Sequence, residues 1–235
     1  MKTRGLKLLI CAMVLSFAIS TTQAQQFLTP VSTLTGDAMV ETTDGKMIEG
    51  DIRTAFFSGK GLKSFRIKDA ETGDVTRFKA EEVKSLRIKM DGWGKLATYA
   101  EQTSSLQKMA TADFDEAVDR EYIYYHTVKW PGKKDKFMLS QLLNPGFDNK
   151  IKVYDYPGKK TASAGIGGMT VVGGNAKKYV VAIDGKTYMV EKGKYKKEDF
   201  DMLFSDCEKL NSLEKSDKEW DEMALHVFVN DTECE

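Results

Sequence analysis

Short alternating runs of apolar and polar residues, cut by glycine-bearing turns, dominate the chain from position 36 to position 191. The pattern predicts a strand over 38–43, a turn at Thr43-Asp44-Gly45-Lys46 and a returning strand over 47–56, because Asp-Gly supplies the positive φ that a two-residue hairpin needs. Further strands are expected over 62–69, 75–78 and 83–89, with turns at 58–61 and at Glu71-Thr72-Gly73-Asp74. Five short strands with no helical period between them predict a small β-barrel-like meander over 37–90, since strands of this length need closure or a neighbour to cover their edges.

From 91 to 113 the period fades; Trp93 sits among glycines, and one strand is expected over 96–100. Strand signals return over 122–130, 137–143, 151–156, 179–183 and 187–191, with turns at Pro131-Gly132, Asn144-Pro145-Gly146 and Asp184-Gly185. They predict a second antiparallel β-sheet of five or six strands in a β-rich unit over 91–195. The period then changes. Phe200, Leu203, Phe204, Cys207, Leu210 and Leu213 make one helical stripe, and Trp220, Met223, Ala224, Val227 and Phe228 a second. Ser216 and Glu219 have capping-box spacing ahead of the latter. A C-terminal helical hairpin over 196–235, packed on the second unit, completes an α+β fold that is mainly β with a helical C-terminus.

The start of the chain has a different character. Lys2, Arg4 and Lys7 precede an apolar run over 8–19, and small residues surround Thr22 and Ala24. These are the parts of a secretory signal peptide over 1–24, cleaved after Ala24, followed by a tether over 25–36. The apolar run is a dozen residues, short of the roughly 20 that span a bilayer, and Ile10 stands where lipidation of Cys11 would want a small residue. No later stretch is apolar enough to cross a membrane as a helix. Cleavage leaves Cys207 and Cys234, which in an oxidising compartment read as a structural disulfide. Their spacing is not that of a redox catalyst or a zinc site.

The run Leu142-Leu143-Asn144-Pro145-Gly146-Phe147-Asp148-Asn149-Lys150-Ile151-Lys152-Val153-Tyr154 carries a resemblance, together with the hairpin at Asp184-Gly185-Lys186-Thr187-Tyr188. So does Lys194-Tyr195-Lys196-Lys197, which leads into Phe204-Ser205-Asp206-Cys207. Over most of the chain beyond the leader, these residues resemble exported proteins common in Bacteroidota, a group with no agreed activity. The resemblance implies location and scaffold. It carries over no catalytic residue.

Composition excludes more than it assigns. The leader holds three of the 35 basic residues and none of the 35 acidic ones, so the exported chain has 32 against 35. That balance, with lysines spread among acids, argues against nucleic acid as a partner. His126 and His226 are the only histidines, each inside a strand or helix pattern, and no Gly-x-Ser-x-Gly elbow accompanies them. The acids Asp113, Asp115, Glu116 and Asp119, and Glu198, Asp199 and Asp201, read as solvated helix faces. Gly165, Gly167, Gly168, Gly173 and Gly174 lack dinucleotide and P-loop spacing, and 69–74 reads as a turn and not a calcium loop. No catalytic, cofactor or metal residue is assigned.

One feature marks a candidate surface. Tyr122, Tyr124 and Trp130 share strand parity, with Tyr125 opposed, and aromatic rows anchor sugars or partner proteins. The expected function is therefore non-catalytic: an exported envelope or secreted binding or structural protein, periplasmic, outer-envelope associated or released. Its partner would be an envelope protein or a glycan. Two alternatives stand beside it, a carboxylate-dependent hydrolase acting on glycans or peptides, and an adaptor docking another envelope protein through the N-terminal barrel.

Overall fold

The computed structural model describes residues 26–31, 34–58, 61–90, 95, 121–133, 136–156 and 177–234. The leader, Trp93, the strand expected over 96–100, the acids of 113–119 and the glycines of 165–174 lie outside the described residues.

The strands are β1 (Gly36–Thr42), β2 (Met47–Ser58), β3 (Gly61–Asp69), β4 (Val75–Lys79), β5 (Val83–Lys89), β6 (Tyr122–Lys129), β7 (Phe137–Gln141), β8 (Ile151–Asp155), β9 (Lys178–Ile183) and β10 (Lys186–Glu191). The first seven form one sheet in the order β2-β1-β5-β6-β7-β3-β4, and an added β2–β3 pairing closes six of them into a barrel. A second sheet has the order β10-β9-β8.

Closure depends on β2, which at 12 residues is long enough to pair first with β1 and then with β3. Gly50 stands in the overlap. A Cβ there would lie 2.1 Å from the Lys68 carbonyl oxygen, so only glycine lets the β3 backbone come this near. A register shift between Ile52 and Thr54 then swings β2 onto its second neighbour. Val40, Phe65, Ile67, Val83 and Ile88 fill the interior without access to water.

β6 and β7 were expected in the second sheet, and they complete the barrel instead. β6 pairs with β5 from Ser85↔His126 to Lys89↔Tyr122, β7 pairs with β6, and the single pair Leu62↔Leu139 closes the ring. The reason is that β6 is apolar on both faces. Ile123 and Tyr125 point into the barrel core, while Val128 on the opposite parity packs with Tyr154 and Val180 of the second sheet. Such a strand must lie between two cores. The second sheet keeps three strands, not five or six.

The described residues of 26–31 and 34–35 also depart from the expected tether. Phe27 packs on Phe147 and Tyr179, and the Val31 N–H donates to Gln141 Oε1 at 2.8 Å. The Tyr125 hydroxyl donates to the Val31 carbonyl at 3.1 Å, and Val31 and Leu34 enter the barrel core.

The tail is a chain of short helical pieces: α1 (Lys192–Lys194), a wide turn over Tyr195–Asp199, α2 (Phe200–Phe204), α3 (Glu208–Asn211), a 3-10 turn over Trp220–Glu222, and α4 (Met223–Glu233). The first stripe is buried as its spacing predicts but is not one helix. Cys207 is extended at φ −110° and ψ 99°, which breaks it. The Ser216–Glu219 capping box does not form, because Glu219 itself precedes the 3-10 turn and its side chain caps nothing. Phe200, Leu203, Phe204, Trp220, Met223 and Val227 pack against Val153, Val181 and Val190 of the second sheet. A disulfide joins Cys207 to Cys234 across 27 residues. No described helix is long and apolar enough to cross a membrane.

Candidate binding groove

Outward-facing side chains of the barrel fall into two cross-strand rows. Lys68, Asp51 and Asp37 stand opposite one another on β3, β2 and β1, and Lys89 stands opposite Tyr122 on β5 and β6. Beside them run Glu49, Met39, Arg87 and Tyr124 on β2, β1, β5 and β6. The turn after β3 rises as a wall, and together with it these residues, Tyr124 excepted, line an open groove of about 650 Å³.

The wall is built by its own chemistry. The Asp69 carboxylate accepts the N–H groups of Glu71 at 2.9 Å and Thr72 at 2.8 Å. Those two backbone donors, Thr72 foremost, hold its carboxyl below the usual range. Gly73, at φ 76°, completes the turn in a conformation that favours glycine. On the opposite side, the Arg87 guanidinium lies 4.9 Å above the Tyr122 ring and 3.9 Å from Met39 Sδ, a cation–π arrangement that fixes both side chains. Asp51 is bonded to Arg53 at 3.1 Å on its own strand. Among the described residues, the carboxylates of Asp37 and Glu49 and the ammonium groups of Lys68 and Lys89 make no ion pair or hydrogen bond.

The aromatic row divides. Tyr122 lies at the groove, whereas Tyr124 and Trp130 pack on the buried cluster between the two sheets, Trp130 against Tyr156 at 5.8 Å. Tyr125, of opposite parity, is in the barrel core. Asp37, Met39, Asp51 and Arg87 did not stand out in the sequence. Strand alternation puts each on an outward face, but their meeting across strands depends on register.

The histidines are tied into the scaffold. His126 Nδ1 lies 3.0 Å from the Tyr154 hydroxyl, joining the barrel to the second sheet. Burial holds the imidazole below its usual value and pushes the Tyr154 hydroxyl up. Ser85 stands directly across from His126 on β5, yet its hydroxyl donates to Glu41 at 3.1 Å, so a nucleophile–base contact is not made. His226 is buried in the tail against Tyr195. Of the later acids, Glu198 and Asp201 pair with Lys194 and Lys218. Asp199 is no solvated acid: it is buried and accepts the Glu191 N–H at 3.2 Å. That burial raises its carboxyl above the usual range. Among the described residues no group of three His, Cys, Asp or Glu side chains could hold a metal ion.

Compared with protein-family models, with curated proteins and with solved structures, the chain matches none.

Proposed function

We propose that this chain is an exported, non-catalytic binding protein of the cell envelope or its surroundings, with the groove on the barrel's outer face as its contact surface. The observation that carries this reading is that the groove displays charged side chains the fold does not use, Asp37, Glu49, Lys68 and Lys89, next to the preformed Arg87–Tyr122 pair. Exposed charge left without a partner and an aromatic ring held open are means of recognition. The leader over 1–24, the disulfide and the likeness to exported proteins support the compartment.

The hydrolase alternative draws on the pair Asp37↔Asp51, directly opposite on neighbouring strands. Cross-strand partners of this kind have Cβ atoms about 5 Å apart, near the spacing of retaining glycosidases. Against it, Asp37 is exposed and Asp51 is bonded to Arg53. The sheltered environment that turns a carboxyl into a general acid is missing.

One experiment separates the two. Purified protein is incubated with panels of esters, peptides and glycosides while its amide NMR spectrum is followed. Binding predicts shift changes at Met39, Arg87 and Tyr122 without turnover. Reproducible turnover lost in Asp37→Asn would establish the alternative. Recovery of the protein with its leader intact and both late thiols free would remove the compartment.

A further inference from the structure

β4 stands outside the closed ring. It ends the seven-stranded order, pairs with β3 alone, and exposes Val75, Thr76 and Arg77 in succession, so that both of its faces meet solvent there. Its ladder shows which backbone groups are left over. The Asp69 N–H donates to the Asp74 carbonyl at 2.9 Å, and hydrogen-bonded pairs alternate along an antiparallel ladder. Ile67↔Thr76 and Phe65↔Phe78 are therefore the bonded pairs, while Val75, Arg77 and Lys79 turn their N–H and C=O groups to the outer edge. The Lys79 N–H donates to Glu82 Oε2 at 2.7 Å. Among the described residues, nothing takes up the outward groups of Val75 and Arg77.

The outward side chains beside that edge carry one sign of charge. On β3 they include Arg66 and Lys68, on β4 Arg77 and Lys79, all exposed, and Arg66 stands directly opposite Arg77. Like charges so placed weaken a strand pair. Of the carboxylates alongside, Asp51, across from Lys68, is bonded to Arg53 at 3.1 Å, and Glu82 is engaged by the Lys79 N–H. The four cations make no ion pair among the described residues. The Arg77 guanidinium is held in place, donating to Ser64 Oγ at 3.0 Å and lying 5.7 Å from the centre of the Phe56 ring, with further N–H donors to offer.

Charge on an edge strand keeps copies of a chain from pairing with one another. Here the cations that repel a second copy attract an acidic strand. Two independent features thus point to one occupant: the open main-chain groups accept an extended backbone, and the charge selects acidic side chains. We infer that the free edge of β4 adds one strand from a partner protein, an extended segment with glutamate or aspartate at alternate positions. Main-chain bonds to Val75 and Arg77 hold the segment, and its acidic residues, opposite those two, share the outward face with Arg66, Arg77 and Lys79. This surface is separate from the groove and rests on nothing bound there.

The test uses the purified protein and labelled decapeptides in which glutamate alternates with threonine. One control carries glutamine for glutamate; two others carry N-methyl groups, either on the glutamates or on the threonines. In the docked strand the glutamate N–H groups face β4 and the threonine ones face away. Fluorescence anisotropy should therefore show affinity falling about tenfold on methylation of the glutamates and holding on methylation of the threonines. Arg66→Gln should weaken the glutamate peptide roughly threefold, and Lys215→Gln, in the exposed tail, should change nothing. Val75→Pro removes one outward N–H at the first position of an edge strand, where proline is tolerated. Affinity should fall roughly fivefold while the melting temperature holds. In the free protein the Val75 and Arg77 amides should exchange quickly and those of Thr76 and Phe78 slowly, and the peptide should protect the first two.

Equal binding of the glutamine peptide, indifference to which residues are methylated, no gain in protection at Val75 and Arg77, or no binding of the glutamate peptide at all would overturn the inference. Phosphatidylglycerol vesicles are the remaining arm. If they capture the protein through Arg66 while the peptide fails, the cations serve a lipid surface and the added strand is discarded.

Discussion

The Tyr195 hydroxyl and His226 Nδ1 lie 2.9 Å apart inside the tail, thirty-one residues separated in sequence and both almost wholly removed from water. The imidazole stacks on Tyr195, meets Phe200 and Phe204 edge-on, and bonds to the Asp217 backbone. The Glu222 carboxylate lies 3.9 Å from Nε2. A neutral ring accepts the tyrosine proton at Nδ1; a protonated ring does not.

Burial pushes the His226 imidazole below its usual value, and the same cause acts on His126. Both folded values are thus depressed relative to an unfolded value of about 6.5. Below that pH the unfolded chain takes up protons that the folded chain refuses, so stability is greatest above it and falls as pH drops. Urea unfolding at pH 8, 6.5 and 5 should show a midpoint that declines toward pH 5, and His226→Gln should flatten the decline. The interval stays above the carboxylates whose values are lowered, Glu41, Asp44, Asp69 and Glu191. A midpoint independent of pH across it would contradict the burial argument.

The Cys207–Cys234 bond closes 27 residues that include α3 and α4. On the loop-entropy account such a crosslink contributes about 3–4 kcal/mol. Reduction, or Cys234→Ser, should therefore lower the melting temperature by roughly 10 °C. Loss of amide protection should be concentrated in Met223–Glu233. A melting curve indifferent to reductant would show that packing alone holds the tail.

Gly50→Ala places a methyl group against the Lys68 carbonyl, where β2 and β3 meet. Relief requires the two backbones to part, so we expect destabilisation of about 2 kcal/mol or more. Amide exchange should quicken on both strands, at Asp51–Ile52 and Ile67–Lys68. Gly45→Ala gives the contrast: at φ 85° with nothing within 4 Å of the added atom, it carries backbone strain alone and should cost about 1 kcal/mol.

Asn144 is wholly buried, its amide donating to the carbonyls of Phe147 and Ile151 at 2.8 Å and its Oδ1 accepting the Val153 N–H at 2.8 Å. Asn144→Ala leaves three backbone groups unpaired in a dry site. Each costs about 1 kcal/mol or more, so a loss of roughly 3 kcal/mol should appear in chemical unfolding. Asn144→Asp keeps the acceptor but turns a carboxylate oxygen toward the Phe147 and Ile151 carbonyls in a dry site, and should cost at least as much as the alanine.

The hairpins were legible because their chemistry is local. Thr43-Asp44-Gly45-Lys46 and Asp184-Gly185 encode the sharp reversals themselves, the latter with φ 50° and 72°, and period-two alternation marked β1 to β5 to within two or three residues. The helical stripe at Phe200–Leu213 identified the buried side chains correctly but not the break at Cys207, since spacing reports which face is apolar and not whether the backbone stays wound. Tyr122, Tyr124 and Trp130 shared a face as their parity required. All three are half-buried, and that Tyr122 lines the groove while Tyr124 and Trp130 pack on the cluster between the sheets depended on where the second sheet sits.

What the amino-acid order determined alone is the local part: strand and turn positions, the apolar faces, the change to helical period near the end, and the pair of late cysteines. Each follows from steric and hydrophobic preferences that act within a few residues. Tertiary structure alone decided that β6 and β7 close the barrel, that Val31 and Leu34 enter one core and Phe27 the other, and that Asp37 faces Asp51 beside Met39. Those outcomes depend on register and on which of several equally apolar faces wins burial, and both are settled by contacts between residues far apart in the chain.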